Sequence, residues 1–365
     1  MAAMGRKRKN NRLGLPERVY LNHGKFFYVH RDGRWENLGT DLAEAKRRGN
    51  LYNDPAGTYG TMEYFLSAFL VACEKRVRRG DLAQRTHDDY AKNIAPLKAF
   101  FGKMTPAGIE PKHVAQYLDI GAELARPVRA NREKACLSAC FSWLIRNGEG
   151  GIRTNPCIGV KRNRETPRER YVEHDELAAV RSIAHRQVRG LMDLIYSTLQ
   201  RPEDIILWTP ANIVRKVEPD GSIRRVIRSD QGKTGRIVDI AITDEIEAIM
   251  KDLRVDGAAT GPGMTFIHTA KGEPYTYDGL SSMLRRSVER ARNDGDGRPP
   301  KFDSFGFYDL KGKGATDMWL HGVPLEQIQA LCGHESIKTT EVYVKCRWRG
   351  TVQPNSLIRT KKSAK

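Results

Sequence analysis

The chain has 365 residues, a length that suits two or three domains, each large enough to bury its own core. Its 62 Lys and Arg residues outnumber 44 Asp and Glu residues, which gives a formal net charge of +18. This excess favours a nucleic acid as partner, and because positive charge is spread along the whole chain, it argues against a neutral enzyme with one basic tail; the alternative is a solvated basic surface.

The cysteines and the apolar runs indicate the compartment. Six cysteines occur without a CxxC pair, and Cys136 and Cys140 lie four residues apart in an apolar helical pattern. This pattern predicts buried thiols in a reducing compartment, with neither a disulfide framework nor a zinc site. No run of about eighteen apolar residues occurs, and the basic residues 1–12 lack the apolar core of a signal peptide. We therefore expect a soluble, cytoplasmic protein that needs no metal or cofactor.

Residues 18–48 carry the pattern of a small sheet followed by a helix. Apolar and polar residues alternate, and turn sequences at 22–25 and 31–34 interrupt them. This predicts three short strands and a helix from about Asp41, with Phe26 and Tyr28 in the core. The basic side chains expected to stay exposed, where they could contact nucleic-acid phosphates, are Lys25, His30, Arg31, Arg34, Lys46, Arg47 and Arg48.

Residues 61–149 have helical periodicity, and the polar residues 50–60 before them predict a linker. Apolar residues recur at helical spacing and the period-two signal of strands is absent, so we predict a bundle of about four helices. Basic residues outnumber acidic ones on this bundle; they include Lys92, Lys98, Lys103, Arg126, Arg129, Arg132 and Lys134.

The charged run 161–170 predicts a second linker, after which residues 171–345 mix helical and strand patterns. The helical patterns cover 175–184, 188–199, 244–253, 277–292, 309–321 and 325–332, and the strand-like stretches cover 226–229 and 236–242. The predicted fold class is therefore mainly α with small β-sheets (α+β). It comprises a three-stranded N-terminal module, a helical bundle and a mixed α/β domain.

Two basic residues of the last domain occupy notable positions. Arg201, in the string TLQRPED, lies between two apolar helical patterns. It is either the partner of Glu203 or Asp204 in an interhelical ion pair, or a guanidinium whose planar fork holds two phosphate oxygens. Lys233, in the turn QGKTGR, is either a solvated turn residue or an ammonium that a flexible hairpin carries to a leaving group.

The string LCGHESIKTTEVY near the C-terminus is more specific. A Leu-x-Gly-His turn ends one helix, and Gly333 suits the C-cap position. Tyr343 follows nine residues after His334. A lone tyrosine is usually a half-buried aromatic residue, but the whole string favours a functional role for this one.

These residues resemble the tyrosine recombinase (phage integrase) family, and the resemblance covers most of the chain. The family signature LGHxxxxTTxxY is matched with the same spacing between histidine and tyrosine. The first arginine box, TGLRxxE, is matched more loosely by TLQRPED, which maps its arginine onto Arg201 and its acidic position onto Asp204. The hairpin lysine of the family maps onto Lys233. The N-terminal module looks like the arm-type DNA-binding domain of phage integrases, and the bundle looks like their core-binding domain.

The second box of the family, HxLRxxxAT, is altered in this chain. Anchored on Asp309-Leu310 and Ala315-Thr316, the alignment places Tyr308 at the histidine and Lys311 at the arginine. Lysine keeps the charge but loses bidentate geometry. Tyrosine keeps one hydrogen-bond donor but does not titrate near neutral pH. Lys313 is a second candidate for the cationic role if the register shifts.

The resemblance implies a site-specific DNA recombinase, a phage or prophage integrase that cuts and rejoins attachment sites through a 3′-phosphotyrosyl intermediate. Tyr343 would be the nucleophile, Lys233 the proton donor, and Arg201, Lys311 and His334 the phosphate ligands, with Tyr308 beside them. It also implies a homotetramer on double-stranded DNA inside the bacterial host cell, with possible accessory DNA-bending or directionality proteins. Two alternatives remain open from the sequence: a type IB topoisomerase-like enzyme and a catalytically impaired, integrase-derived DNA-binding protein.

The predicted domains follow from the linkers together with the resemblance. Residues 1–55 would hold the basic leader and arm-type module, and residues 56–165 the core-binding domain. Residues 166–350 would form the catalytic domain, and residues 351–365 a C-terminal tail.

Overall fold

The computed structural model describes residues 13–54, 57–166, 170–253, 263–293 and 301–344. The chain divides into two compact units, Met1–Pro167 and Arg168–Lys365. The basic leader (1–12), Cys346 and the predicted tail lie outside the described residues. Within the described ranges, no helix is both long and apolar enough to cross a membrane.

The N-terminal part of the first unit is a three-stranded antiparallel sheet with one helix. The strands β1 (Val19–Asn22), β2 (Lys25–Val29) and β3 (Trp35–Gly39) pair in chain order, and α1 spans Leu42–Tyr52. Asp41 caps α1, because its carboxylate accepts a hydrogen bond from the Glu44 amide. The module's core comprises Val19, Phe26, Tyr28, Leu38 and Ala45, which confirms the predicted burial of Phe26 and Tyr28.

Two details of this module differ from the sequence prediction. Residues 50–52 belong to α1 and not to a linker. His30 and Arg48, which we predicted to be exposed, are half-buried because both pair with the carboxylate of Glu36. Lys46 is half-buried as well. The positions of charged residues in the sequence did not identify Glu36 as their partner, because Glu36 meets His30 and Arg48 only when the sheet and the helix pack together.

The rest of the first unit is a helical bundle, as predicted. Its helices are α2 (Met62–Arg78), α3 (Gln84–Phe101), α4 (Pro111–Glu123) and α5 (Pro127–Asn147). The cysteines within the described residues are buried and free; they are Cys73, Cys136, Cys140 and Cys157 in the bundle and Cys332 in the second unit. This confirms the prediction of buried thiols, and burial raises the pKa of Cys136 and of Cys157 to about 12.

Several basic residues of the bundle are occupied within the unit. Lys134 is buried and donates to the Val160 carbonyl at 2.6 Å, and Arg126 donates to the buried Glu133 carboxylate at 2.9 Å. The start of the predicted second linker is also anchored, because the Asn163 amide donates to the Asn131 side chain at 2.9 Å. Fewer of these cations are available to a polyanion than their number in the sequence implies.

The second unit combines one antiparallel sheet with helices. Its strands are β4 (Ile213–Val217), β5 (Ile223–Gln231) and β6 (Arg236–Ala241), paired in chain order. Its helices are α6 (His174–Ile183), α7 (Arg186–Thr198), α8 (Pro202–Ile205), α9 (Asp244–Asp252), α10 (Tyr277–Arg292), α11 (Phe307–Leu320), α12 (Leu325–Cys332) and α13 (Ile337–Tyr343). The α+β class is confirmed. The sequence patterns missed β4, α8 and α13, because five-, four- and seven-residue elements carry too little periodicity.

Helices α7 and α11 approach each other closely at Gly314. A Cβ atom at Gly314 would lie 2.4 Å from the Tyr196 carbonyl oxygen and 2.7 Å from Leu199 Cδ2. Both distances are far shorter than ordinary van der Waals contact, so α11 can lie against α7 only with glycine at this position. Because α11 also carries the second-box residues, this contact fixes their distance from the first box.

We expect Gly314→Ala to lower the free energy of unfolding by roughly 1–3 kcal/mol, since the overpacking cost exceeds the ~1 kcal/mol that alanine gains over glycine inside a helix. Urea unfolding followed by circular dichroism measures this. The control is Gly263→Ala, at an exposed turn glycine of the same unit where a Cβ meets no atom within 4 Å; it should change the value by less than about 0.5 kcal/mol. An unchanged or higher stability of Gly314→Ala would show that the helices can separate freely.

Candidate active site

Four elements of the second unit bring the predicted residues together. Arg201 is the N-cap of α8, Lys311 lies on the second turn of α11, His334 follows the C-cap of α12, and Tyr343 ends α13. The C-cap, Gly333, has φ 66°, which confirms the predicted left-handed helix end. The short helix α13 places Tyr343 beside His334 and Lys311, which precede it by nine and thirty-two positions.

Tyr343 lies next to both His334 and Lys311. The His334 and Tyr343 rings stack with centroids 5.1 Å apart, and the Lys311 ammonium lies 5.1 Å from the Tyr343 ring centroid. Burial raises the pKa of Tyr343, and the nearby Arg201 opposes that rise. The phenol is therefore protonated at neutral pH, since burial outweighs the stabilisation of the phenolate by Arg201.

Lys311 is the least usual group of the site. Its side chain has no exposed surface, and its ammonium has no hydrogen-bond partner among the described residues. Burial, together with the nearby charge of Arg201, lowers the pKa of Lys311 to about 8. A buried cation is normally paired with an anion or hydrogen-bonded. This one has spare capacity for an anionic ligand.

His334 is a neutral hydrogen-bond donor at physiological pH. Burial, followed by the charges of Lys311 and Arg201, lowers the pKa of His334 to about 4. Its Nδ1 lies 3.0 Å from the Thr340 hydroxyl. In the tautomer that carries the ring proton on Nε2, the Thr340 hydroxyl donates to Nδ1, and Nε2–H can donate to an oxygen of a ligand.

Arg201 is held on one side by neutral and acidic groups. Its guanidinium donates to Gln231 Oε1 at 3.0 Å and lies 3.7 Å from the Asp204 carboxylate. The ion pair with Asp204 that the sequence allowed therefore forms, and it leaves other guanidinium donors available. The preceding Leu199 is buried with φ 54°, at the position where the family motif has glycine.

The two lysines of α11 have different environments. Lys313 is also fully buried, but its ammonium lies 3.2 Å from the Asp317 carboxylate and 3.1 Å from the Tyr171 hydroxyl. Tyr196 donates to the same carboxylate at 2.8 Å. Lys313 is thus part of an internal ion pair, whereas Lys311 faces Tyr343. This arrangement supports the register that assigns the cationic role to Lys311.

Tyr308 and Lys233 lie at the exposed side of the site. The Tyr308 hydroxyl donates to the Glu203 carboxylate at 2.7 Å, so its single proton is not directed at a ligand in this conformation. Lys233 is exposed in the turn between β5 and β6, and Gly235 in the same turn has φ 65°. No group of three or more His, Cys, Asp or Glu in the described part of the chain is arranged to hold a metal ion.

Sequence reasoning missed three residues that shape the site. They are Gln231, which contacts Arg201; Thr340, which contacts His334; and Arg236, which donates to the His334 carbonyl at 3.1 Å. Thr340 lies in the recognised TT string and could have been singled out. Gln231 and Arg236 reach partners about thirty and ninety-eight positions away, which no local pattern specifies.

Comparison with known proteins decides the family. Residues 170–347 match the model of the phage integrase family. The integrase of Escherichia phage HK022 is 24% identical over 95% of this chain and 98% of its own length. Tyrosine recombinase XerC of Vibrio atlanticus is 24% identical over 57% of this chain and 64% of its own. Residues 170–347, just under half of the chain, belong to the phage integrase family. The chain is a tyrosine site-specific recombinase of the phage integrase type, as the resemblance implied.

Solved structures agree on the fold. A lambda integrase (75–356) dimer bound to a COC′ core site matches with a TM-score of 0.64, at 20% identity, over 81% of this chain and 99% of that one. A lambda integrase tetramer bound to a Holliday junction matches with a TM-score of 0.63, at 20% identity, over 95% of this chain and 99% of that one. The recombinase therefore has the integrase fold over nearly its whole length.

The two buried lysines should affect stability in opposite directions. At pH 7 we expect Lys311→Met to raise the free energy of unfolding by roughly 1–3 kcal/mol, because it removes an unpaired buried charge. Lys313→Met should lower it by roughly 2–4 kcal/mol, because Asp317 loses its buried cation. Urea unfolding at a series of pH values measures both effects.

The pH dependence of stability follows from the direction in which the pKa of Lys311 is shifted. The folded pKa of about 8 lies below the ordinary 10.5, so between these values the folded state binds fewer protons than the unfolded state. The unchanged recombinase should therefore gain stability relative to Lys311→Met as pH rises from 8 to 10.5. A loss of stability in Lys311→Met at pH 7 would mean that the ammonium is paired in the free protein.

Proposed function

We propose that this recombinase integrates and excises a phage or prophage genome by cutting and rejoining double-stranded DNA at attachment sites. The observation that carries the proposal is the grouping of Arg201, Lys311 and His334 around Tyr343, with Lys311 lacking an internal partner. A phosphodiester under in-line attack gathers charge on its non-bridging oxygens, and fixed cations and N–H donors stabilise that charge.

The proposed reaction is a transesterification. Tyr343 Oη forms a bond to the scissile phosphorus while the bond from phosphorus to the 5′ oxygen breaks, which leaves a 3′-phosphotyrosyl link. The phenolic proton passes to water, and the Lys233 ammonium donates a proton to the departing 5′ oxygen. Arg201, Lys311 and the neutral His334 bind the non-bridging oxygens. Attack by a 5′-hydroxyl reverses these steps and rejoins a strand without an external energy source.

The remaining parts of the proposal concern assembly and place. The module of residues 1–55 would bind arm-type sites and the bundle of residues 56–165 core sites, with residues 166–350 as the catalytic domain. Basic residues outnumber acidic ones in residues 1–55 and 56–165, which supports DNA as the partner of these two parts. A homotetramer acting on two DNA sites in the cytoplasm of a bacterial host, with accessory bending or directionality proteins, completes the proposal. The tail of residues 351–365 has no assigned role.

Tyr343→Phe should bind target DNA with unchanged affinity and form no covalent adduct, since it lacks only the nucleophilic oxygen. The measurement uses nicked suicide duplexes tiled across the DNA that flanks the gene, with denaturing gels to detect the adduct and gel shifts to measure binding. Tyr90→Phe, at a half-buried tyrosine of the bundle, is the matched control and should form adduct at the normal rate.

The outcomes of this experiment separate the alternatives. An adduct that persists in Tyr343→Phe would overturn the assignment of the nucleophile. An unchanged chain that binds the duplexes but never forms an adduct would indicate a catalytically impaired DNA-binding protein. Adducts on every duplex alike, together with relaxation of any supercoiled plasmid, would indicate topoisomerase-like activity.

A further inference from the structure

Gln231 occupies the junction of the site's supporting elements. It is the last residue of β5, its side chain has no exposed surface, and both ends of its amide are bonded. Oε1 accepts from the Arg201 guanidinium at 3.0 Å. Nε2 donates to Gln200 Oε1 at 2.8 Å and to the Cys332 carbonyl at 3.0 Å. One side chain thus links the first arginine box, the hairpin and the turn that precedes His334.

The backbone around Gln231 is adapted to this contact. A Cβ atom at Gly333 would lie 2.5 Å from Gln231 Nε2, so the helix-ending glycine is required for close approach as well as for its positive φ. Thr234, in the turn that carries Lys233, adds a hydrogen bond from its hydroxyl to Gln231 Oε1 at 2.9 Å. The amide therefore has no remaining capacity for a ligand of its own.

A neutral acceptor suits the task of holding Arg201. A carboxylate in this position would neutralise much of the guanidinium charge before any phosphate arrived, whereas an amide oxygen fixes the side chain and leaves its charge in place. Asp204 lies farther away, at 3.7 Å, and its other oxygen accepts from the Gly232 amide. Gln231 is thus the group in direct hydrogen-bond contact with the guanidinium.

We propose that Gln231 is a positioning residue for phosphate activation, which holds the Arg201 guanidinium and the turn before His334 in the geometry that binds the scissile phosphate. This inference rests on the proposed function. It predicts that the contribution of Gln231 to the rate of adduct formation depends on the negative charge of the phosphate. This contribution should be independent of leaving-group protonation by Lys233.

The test measures single-turnover adduct formation on two nicked duplexes, one with an ordinary scissile phosphodiester and one with a neutral methylphosphonate at that position. Gln231→Met should slow the reaction of the phosphodiester roughly 10- to 100-fold, the size expected for losing a hydrogen bond to a charged group. On the methylphosphonate its defect should shrink to within about threefold, and that of Arg201→Ala should shrink in parallel, because no oxygen charge needs binding. The defect of Lys233→Ala should persist on both substrates.

The control for burial is Gln187→Met, which removes a buried glutamine of the same unit whose amide donates to the Leu253 carbonyl at 3.0 Å, away from the site. It should react normally on both duplexes. Gln231→Glu gives a second test if Gln231→Met does not fold, since it keeps an acceptor for Arg201 but cancels its charge; it should show the same dependence on phosphate charge.

Three results would overturn the inference. The first is a Gln231→Met rate within twofold of normal on the phosphodiester, and the second is an equal defect on both duplexes, which would mark a merely structural role. The third is the absence of any adduct with the unchanged chain, which would overturn the proposed function and this inference with it. Either of the first two results, with normal adduct formation by the unchanged chain, would reject the inference and leave the proposed function standing.

Discussion

The site depends on one buried charge without a partner. The Lys311 ammonium is fully enclosed, lies against the Tyr343 ring and has no hydrogen-bond acceptor among the described residues. Transferring a cation out of water costs several kcal/mol unless an anion or good acceptors compensate. The fold therefore maintains an unfavourable charge in the free protein. In the proposed reaction the scissile phosphate would supply the missing anion, so the unfavourable burial of Lys311 would favour binding of that group over neutral ligands.

The neighbouring structure prevents Lys311 from relaxing into a more stable arrangement. Gly314 allows α11 to lie tightly against α7, which fixes the lysine's backbone. Two residues further along α11, Lys313 satisfies the nearby Asp317 carboxylate, so that anion is not available to Lys311. Gln231 holds Arg201 through a neutral amide. Each of these contacts helps to leave the Lys311 ammonium without a partner or to hold the Arg201 guanidinium in place.

Much of this could be predicted from the sequence, and the limits have physical causes. The nine-residue spacing from His334 to Tyr343 predicted that these two side chains meet, because a local string encodes a turn and a short helix. The choice between Lys311 and Lys313 could not be made locally, since it depends on the position of Asp317 relative to Tyr171 and Tyr196. Gln231 was missed for the same reason. The hydrogen bond from Tyr308 to Glu203 also joins residues more than a hundred positions apart.

The most direct test of this account is the pKa of Lys311, measured by NMR of selectively labelled lysine in Tyr343→Phe, which cannot react. In the free protein we expect a value of about 8, since burial is not offset by an acceptor. With a target duplex bound, the scissile phosphate should raise it above 10, because the opposite charge favours the ammonium. A pKa near 10.5 in the free protein, or no change on binding DNA, would contradict the claim that Lys311 is held unpaired for the phosphate.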